Sequence, residues 1–324
     1  MRHPLALALL LILAATASSL PRAEPLNESA PLLACPDCGQ INAAVRTQDG
    51  ILGVGARGLI VHGTSSGDRW QQIRGPVRSM LTAVTATREG QLVATGHDAL
   101  VLSSPASGTG WAVIHADPEL DTPLFDLWIG QHGSGLAVGA YGLALRTTDY
   151  GRSWTRHEID SQEAHFYAID EAPNGNLFVC GEFGTVLRSD NRGQSWTRLD
   201  VSWDGTFFGC RSGHAGRVLL YGLEGVLLES TDDGKTWRHL ETGVSVSLYD
   251  AAFLPDHRAI VAGADGIVLL ETPAGNFERI SRAHSESILK ILVTSPDTAL
   301  LFGEGGIQPL DLSDTLPAEK GRGQ

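Results

Sequence analysis

The chain lacks an excess of basic residues: its 324 residues include 24 Lys and Arg against 37 Asp and Glu, a formal net charge of −13. The basic residues are spread along the sequence rather than clustered. Because binding to a phosphate backbone requires a locally basic surface, we expect no nucleic acid among the partners.

Long apolar runs are also absent after the first residues. The initial run, residues 5–15, follows Arg2 and His3 and precedes the small residues 15–17. It is about 11 residues long, whereas a membrane-spanning helix needs about 20. This order is typical of a secretory signal peptide, cleaved near Ala17 or after Ala23. We therefore predict an exported chain, periplasmic or extracellular, with no transmembrane span after cleavage and no lipid anchor.

Cysteine is scarce, and its pattern excludes several cofactors. Cys35 and Cys38 form a CxxC followed by Gly39, so the His needed for c-type haem attachment is missing. No second CxxC completes a four-ligand zinc site, and we expect no metal and no cofactor. A structural disulfide between the two cysteines or an unpaired leader remain as alternatives. Cys180 and Cys210 are interpreted as small buried residues.

A unit of about 41 residues recurs through most of the sequence. An aromatic residue closes most copies: Trp70, Trp111, Trp154, Trp196, Trp237 and Phe277. A second series runs in phase with it: Gly58, Ala99, Gly142, Gly184, Gly225, Gly266 and Gly306. Each copy reads as four short strands joined by turns, so the sequence predicts an all-β fold, a seven-bladed β-propeller.

The predicted organisation is a signal peptide over residues 1–17, a leader over 18–40, the propeller over 41–316 and a tail over 317–324. The seventh copy shows no clear fourth strand. Pairing of the residues just before Ile41 onto its edge would close the ring and protect that edge.

The most specific motif is the Asp-box, Ser/Thr-x-Asp-x-Gly-x-Ser/Thr-Trp, between the third and fourth strands. We assign a structural role to its side chains: Asp149, Trp154, Asn191, Trp196, Asp232 and Trp237. The Asp or Asn oxygen accepts backbone hydrogen bonds within the turn, and the indole packs between outer strands. The motif therefore indicates a blade and gives little support for catalysis.

These repeats resemble the photosystem II stability/assembly factor-like family and the wider BNR (Asp-box) class, which includes sialidases and xyloglucanases. The resemblance covers roughly residues 41–312 and rests on the repeat period and the motif. It implies a seven-bladed propeller that serves as a binding or assembly scaffold. In photosynthetic members the partner is a membrane-protein assembly intermediate.

The alternative function is a carbohydrate-active hydrolase or a glycan-binding protein. Asp126, Asp250 and Lys290 occupy one column of the innermost strands and could border the central channel. Paired carboxylates are what glycoside hydrolysis needs. A sialidase-like site needs three arginines, however, and Arg46 and Arg211 have no matching third. Serine-triad, phosphate-loop and metal signatures are absent, so we predict a non-enzymatic protein.

The predicted binding face is formed by the loops between the second and third strands and between blades. Its candidate residues are the aromatic Tyr141, Phe183 and Trp203 and the acidic Glu182, Glu224 and Asp265. Exposed aromatic residues on such a face are common interface anchors, although packing over the blade edges is the alternative for each. We predict a monomeric scaffold whose partner is a protein, a membrane protein or a membrane complex, that presents basic residues.

Overall fold

The computed structural model describes residues 28–160 and 162–313, which form a seven-bladed β-propeller. The predicted fold class is confirmed. The predicted signal peptide, residues 1–17, and the predicted tail, residues 317–324, lie outside the described residues. Within the described ranges no helix is long and apolar enough to cross a membrane.

The strands follow one another blade by blade along the chain. Blade one contains β1 (Ile41–Arg46), β2 (Ile51–Gly55), β3 (Ile60–Gly63) and β4 (Trp70–Ile73). Blade two contains β5 (Leu81–Ala86), β6 (Leu92–Gly96), β7 (Val101–Ser104) and β8 (Ala112–His115). Blade three contains β9 (Leu124–Ile129), β10 (Gly135–Gly139), β11 (Ala144–Thr147) and β12 (Thr155–Arg156). Blade four contains β13 (Phe166–Glu171), β14 (Leu177–Gly181), β15 (Val186–Ser189) and β16 (Thr197–Arg198), and blade five contains β17 (Phe207–Ser212), β18 (Val218–Gly222), β19 (Leu227–Ser230) and β20 (Arg238–His239). Blade six contains β21 (Leu248–Phe253), β22 (Ala259–Gly263), β23 (Val268–Glu271) and β24 (Phe277–Arg279). Blade seven contains β25 (Ile288–Ser295), β26 (Thr298–Gly303) and β27 (Gly306–Asp311).

Each blade is an antiparallel sheet whose strands pair in chain order, and the first strand of each blade lines the central channel. The first strands contact one another in sequence around the ring, and β25 contacts β1. Every residue of the second strand in blades one to six is buried. These strands are nearly continuous apolar runs because a neighbouring blade covers each face.

A glycine ends the second strand of every blade because there is no room for a side chain. A Cβ atom there would lie 2.0–2.2 Å from the carbonyl oxygen of the residue that precedes the first strand. The residue after the glycine donates its N–H to that same oxygen, at 2.9–3.1 Å. The glycine–carbonyl pairs are Gly55–Gln40, Gly96–Met80, Gly139–Pro123, Gly181–His165, Gly222–Thr206, Gly263–Ser247 and Gly303–Ser287.

Blade seven has three strands within the described part of the chain. The residues just before Ile41 do not pair with its edge as a strand; they include a single 3-10 turn, Pro36–Cys38. The expected strand is absent because the leader lies over the seam between blades seven and one. There the carbonyl oxygen of Asp37 lies against Gly306, where a Cβ atom would be 2.1 Å away.

The leader takes the place of a connector, the segment that joins the last strand of one blade to the first strand of the next. Four residues before the next first strand, the carbonyl of Val77 lies against Gly58, and that of Val244 lies against Gly225, in the same way that Asp37 lies against Gly306. The chain therefore closes its ring by adding the missing connector at the N-terminal end.

Further contacts fix the leader onto blade one. The N–H of Leu33 donates to Oε1 of Gln72 at 2.8 Å, and Nε2 of Gln72 donates to the carbonyl of Pro31 at 2.8 Å. Cys35 and Cys38 are joined by a disulfide. Cys180 and Cys210 are buried and unbridged.

Candidate functional site: the channel face

The turns between second and third strands form the rim of one face of the propeller. In blades one to six, two successive residues of the turn have positive φ, as in a type I′ hairpin turn. The first of the two is the turn tip, and φ at the tips is 53° to 57° for Arg57, Tyr141, Phe183, Glu224 and Asp265. The second is a glycine in these five blades, which accounts for the glycine series in the sequence.

Tyr141 and Phe183 are the tips of adjacent blades and are highly exposed, at 64% and 70% of their surface. A bulky residue in the left-handed region costs about 1 kcal/mol or more relative to its preferred conformations. Neither side chain recovers this cost by burial in the described structure. Two exposed aromatic side chains on strained turns make this part of the rim a candidate binding surface.

Trp203 differs from these two residues. It is half-buried, packs against the cluster between blades four and five, and lies over Gly205, where a Cβ atom would be 2.6 Å from the indole. Its Nε1 is shielded from solvent without an acceptor. The prediction of three exposed aromatic residues is therefore wrong for Trp203, because this residue belongs to a connector whose carbonyl is pressed against Gly184.

A set of rings that the sequence analysis did not single out lines the mouth of the channel. Phe125, Tyr167, Phe208 and Tyr249 are the second residues of β9, β13, β17 and β21. Successive ring centroids are 5.0, 5.3 and 5.4 Å apart. The ladder register of each strand shifts at this residue, so a β-bulge turns the side chain into the mouth.

His165 connects these rings to the rim. Its ring is 4.5 Å from that of Tyr141 in an edge-on arrangement and 6.1 Å from that of Tyr167. We call the resulting six rings the aromatic band: Phe125, Tyr141, His165, Tyr167, Phe208 and Tyr249. The band spans blades three to six and makes a continuous surface from a turn tip to the channel.

Glu182 places a carboxylate beside the band. Its Oε2 accepts the N–H of His165 at 3.1 Å, and its Oε1 is 3.7 Å from Nδ1 of the same residue. Burial and the nearby Glu182 raise the pKa of Tyr167. Among the described residues no Lys or Arg forms an ion pair with Glu182. The exposed acidic tips Glu224 and Asp265 extend this negative charge over blades five and six.

Deeper in the channel, three carboxylates connect neighbouring blades. Each Oδ2 accepts a backbone N–H from a strand of another blade, at 2.6–3.0 Å: Asp126 from Ile169, Asp170 from Ser212 and Asp250 from Ile291. The cavity that they line has a volume of about 840 Å³. The first role of these side chains is therefore to hold first strands together.

The channel cations are already paired. Arg211 forms ion pairs with Asp170 at 3.1 Å and with Asp250 at 3.3 Å, and Nζ of Lys290 is 3.1 Å from Oδ1 of Asp250. Arg46 donates to two main-chain carbonyls of β25. The structure thus brings Lys290 to Asp250 and leaves Asp126 without an ion pair.

Asp126 has an unusual protonation equilibrium. Burial raises its pKa from the usual 3.8 to about 6, although two backbone N–H groups and the charges of Lys290 and Arg211 oppose the shift. A raised pKa means that the protonated form is favoured in the folded state. The contribution of Asp126 to stability should therefore fall as the pH rises from about 4 through 6.

This sign can be checked with Asp126→Asn, whose side chain does not titrate. The unfolding free energy of the wild type, minus that of the variant, should fall by about 1 to 3 kcal/mol between pH 4 and pH 7. The upper value applies when no water from the channel reaches the carboxyl group, because contact with water reduces the effect of burial. Urea unfolding at each pH measures this difference. A constant or rising difference would show that Asp126 is not desolvated.

The Asp-box side chains are occupied within their own turns. Oδ1 of Asp232 accepts the N–H groups of Lys235 and Thr236, and Oδ2 accepts the hydroxyl of Thr236. These bonds lower the pKa of Asp232 to about 2. Asp149 makes the equivalent bonds, which lower its pKa to about 2 against the effect of burial. Asn191 also accepts and donates within its turn.

The described residues offer one cluster of metal-ligand types, Cys35, Asp37 and Cys38. The two sulfurs are joined in the disulfide, so they are not thiolate ligands. The arrangement around the aromatic band and the channel is instead suited to binding apolar and charged groups of a partner.

Comparison with known proteins supports the resemblance to the photosystem II assembly factor family. The family model described as "Photosynthesis system II assembly factor YCF48" matches residues 103–204. This range runs from β7 into the connector after β16 and includes Tyr141, Glu182 and Phe183. No curated protein sequence matches the chain.

Solved structures with the same fold cover most of the chain. A structure of YCF48 bound to a D1 peptide is 18% identical, with a TM-score of 0.71, covering 89% of this chain and 97% of that one. YCF48 from Cyanidioschyzon merolae is 14% identical, with a TM-score of 0.69, covering 89% and 99%. Streptogramin B lyase, an enzyme, is 13% identical, with a TM-score of 0.75, covering 87% and 96%. At these identities the similarity establishes the fold.

Proposed function

We propose that the protein is an exported, non-enzymatic scaffold that binds a segment of a partner protein on its channel face and assists the assembly or stability of a membrane protein complex. The observation that carries this proposal is the aromatic band, together with the exposure of its member Tyr141 and of the neighbouring tip Phe183. Export is supported by the N-terminal sequence pattern, and the assembly role by the family resemblance.

The architecture suits a scaffold because the binding surface is built on rigid elements. Four of the six rings stand on first strands that are held together by carboxylate hydrogen bonds to backbone N–H groups of other blades. Each aromatic tip is followed by a glycine whose N–H donates to a connector carbonyl, Gly142 to Ala164 at 2.9 Å and Gly184 to Gly205 at 2.8 Å. Such a surface loses little conformational entropy when a partner binds.

The second candidate is a hydrolase that uses the channel carboxylates, and Asp126 is the residue that favours it. A carboxyl group with a raised pKa in a cavity can act as a general acid. A glycosidase also needs a second free carboxyl group. Asp170 and Asp250 are bound by Arg211, and Asp250 also by Lys290. We therefore expect no turnover of glycan substrates; turnover that Asp126→Asn abolishes would favour the enzyme.

The double variant Tyr141→Ser/Phe183→Ser tests the scaffold. Because both side chains are exposed, the variant should keep the melting temperature and the far-ultraviolet spectrum of the wild type. Loss of two interface anchors should weaken capture of a membrane partner at least tenfold, about 1.4 kcal/mol. Pull-down from native membranes and thermal unfolding measure the two properties on the same preparation.

Tyr150→Ser is a matched control, since this tyrosine lies in an Asp-box turn and contacts Gly133 and the carbonyl of Gln131. It should not alter capture. Unchanged capture by the double variant would remove the main support for the proposed function.

A further inference from the structure

The channel mouth on blades three to six combines aromatic rings with acidic side chains. Phe125, Tyr167, Phe208 and Tyr249 are half-buried and line the cavity of about 840 Å³. Their mutual contacts at 5.0–5.4 Å leave part of each ring open to the mouth. Rings in such numbers at the entrance of a cavity are suited to contact a ligand group over their faces and edges.

Two carboxylates near the rings, Glu182 and Asp126, form no ion pair with Lys or Arg among the described residues. Glu182 contacts His165 and is about a quarter exposed at its side chain, 25%. Asp126 follows the ring of Phe125 and is bound by backbone N–H groups alone. The cations of the channel, Arg211 and Lys290, are engaged by Asp170 and Asp250. A ligand that enters between the rings therefore meets negative charge.

From this combination we infer that the aromatic band and Glu182 bind a cationic side chain, preferably arginine, within an extended apolar segment of the partner protein. The inference rests on the proposed function and specifies the chemistry that the site recognises. The quadrupole of an aromatic ring attracts a cation. A guanidinium group can stack on a ring while it donates two parallel hydrogen bonds to one carboxylate.

The apolar neighbours of the cationic residue contact the rim. Tyr141 and Phe183 are exposed on the tips of blades three and four, on either side of Glu182 in the chain. An extended segment places every second side chain on the same side, so a cation can enter the mouth while the apolar residues two positions before and after it lie on the tips. The acidic tips Glu224 and Asp265 favour the same sign of ligand.

Three synthetic peptides test this inference with the full chain. Each is Gly-Ser-Leu-Gly-X-Gly-Leu-Ser-Gly, acetylated and amidated so that its ends carry no charge, with X as Arg, Gln or Glu. Isothermal titration calorimetry should show that the Arg peptide binds at least tenfold more tightly than the Glu peptide, with the Gln peptide between them. Equal affinities, or no binding by any of the three, would overturn the inference.

Two variants locate the effect. Glu182→Gln keeps an oxygen to accept the N–H of His165 but removes the charge, so it should reduce the preference for Arg over Gln at least threefold and leave the Gln peptide unaffected. Phe208→Leu keeps an apolar side chain but removes the ring, so it should weaken the Arg peptide about threefold. Glu89→Gln is the matched control, because Glu89 pairs with Arg152 near an Asp-box turn; it should change neither affinity.

Circular dichroism shows whether each variant is folded. If Phe208→Leu does not fold, the result for Glu182→Gln alone decides the inference. Two results separate the inference from the proposed function. Capture that requires Tyr141 and Phe183 without any preference among the peptides would contradict the inference and leave the scaffold intact. A clear preference for the Arg peptide, with capture independent of both residues, would contradict the proposed scaffold surface instead.

Discussion

Deletion of residues 18–39 should lower the free energy of unfolding by about 3 kcal/mol or more, the scale of a mutation that opens a buried interface. In a ring of repeated units, each blade is stabilised by its contacts with both neighbours. The leader supplies the connector at the seam between blades seven and one. Without it, Gly306 loses the Asp37 backbone that lies against it, and the side chain of Leu59 loses its contact with the leader at Gly39.

The deletion also removes polar contacts between the leader and the rest of the chain. Gln72 loses both of its partners in the leader, Leu33 and Pro31, and Arg78 loses its ion pair with Glu28 at 2.8 Å. These side chains are partly or largely exposed, so water replaces the lost partners and most of the expected cost comes from lost packing. Urea unfolding followed by circular dichroism would measure the change, and the slope of the transition would report whether the ring still unfolds as one unit.

A smaller change is the control. Cys35→Ser together with Cys38→Ser opens the disulfide but keeps the leader, and should cost about 2 kcal/mol for a loop this short. A long deletion with unchanged stability would mean that the leader does not contribute to ring closure.

The number of blades could be predicted because the physical requirement repeats with the sequence. Each second strand must fit between two blades and must end where a connector carbonyl crosses it. Gly263, for example, would place a Cβ atom 2.0 Å from the carbonyl oxygen of Ser247. No other residue fits there, so glycine recurs at this place in all seven copies and is visible without a structure.

The closure of the ring could not be predicted from the repeat. The leader residues 35–39 have no counterpart in the pattern of alternating strands, since a connector follows the course of the blades and has no periodicity of its own. An edge without a fourth strand suggested strand pairing, whereas the seam between blades required the connector. Asp37 meets that requirement through its carbonyl oxygen, which any residue type could provide.

The candidate site was predictable in part. Tyr141 and Phe183 could be identified because the residue before the glycine of a two-residue turn is at the tip and has nothing to cover it. Trp203 could not be separated from them, because exposure of a connector residue depends on the neighbouring blade. The rings of Phe208 and Tyr249 required knowledge of the bulge, although an aromatic residue at the second position of four successive first strands was a usable signal.

Trp154→Ala should cost about 3 to 5 kcal/mol in unfolding free energy, as for other buried aromatic residues. Trp154 is 7% exposed and packs in the cluster between blades two and three with Val93 and Leu145. Its Nε1 donates to the carbonyl of Gly151 at 3.0 Å. Truncation therefore leaves a cavity next to Gly151 and an acceptor without its donor.

Trp237→Ala is the matched control, because it occupies the same place in another Asp-box. Trp237 is half-buried, and its Nε1 is shielded without an acceptor, so its removal also relieves an unsatisfied donor. We expect a smaller cost of about 1 to 3 kcal/mol. Urea unfolding of both variants, with partner capture by the folded fraction, measures stability and function together.

If Trp154→Ala retained full stability but lost capture, the Asp-box would be part of the binding surface. Because its polar side chains are occupied within their own turn, we expect the opposite: a large loss of stability with capture unchanged.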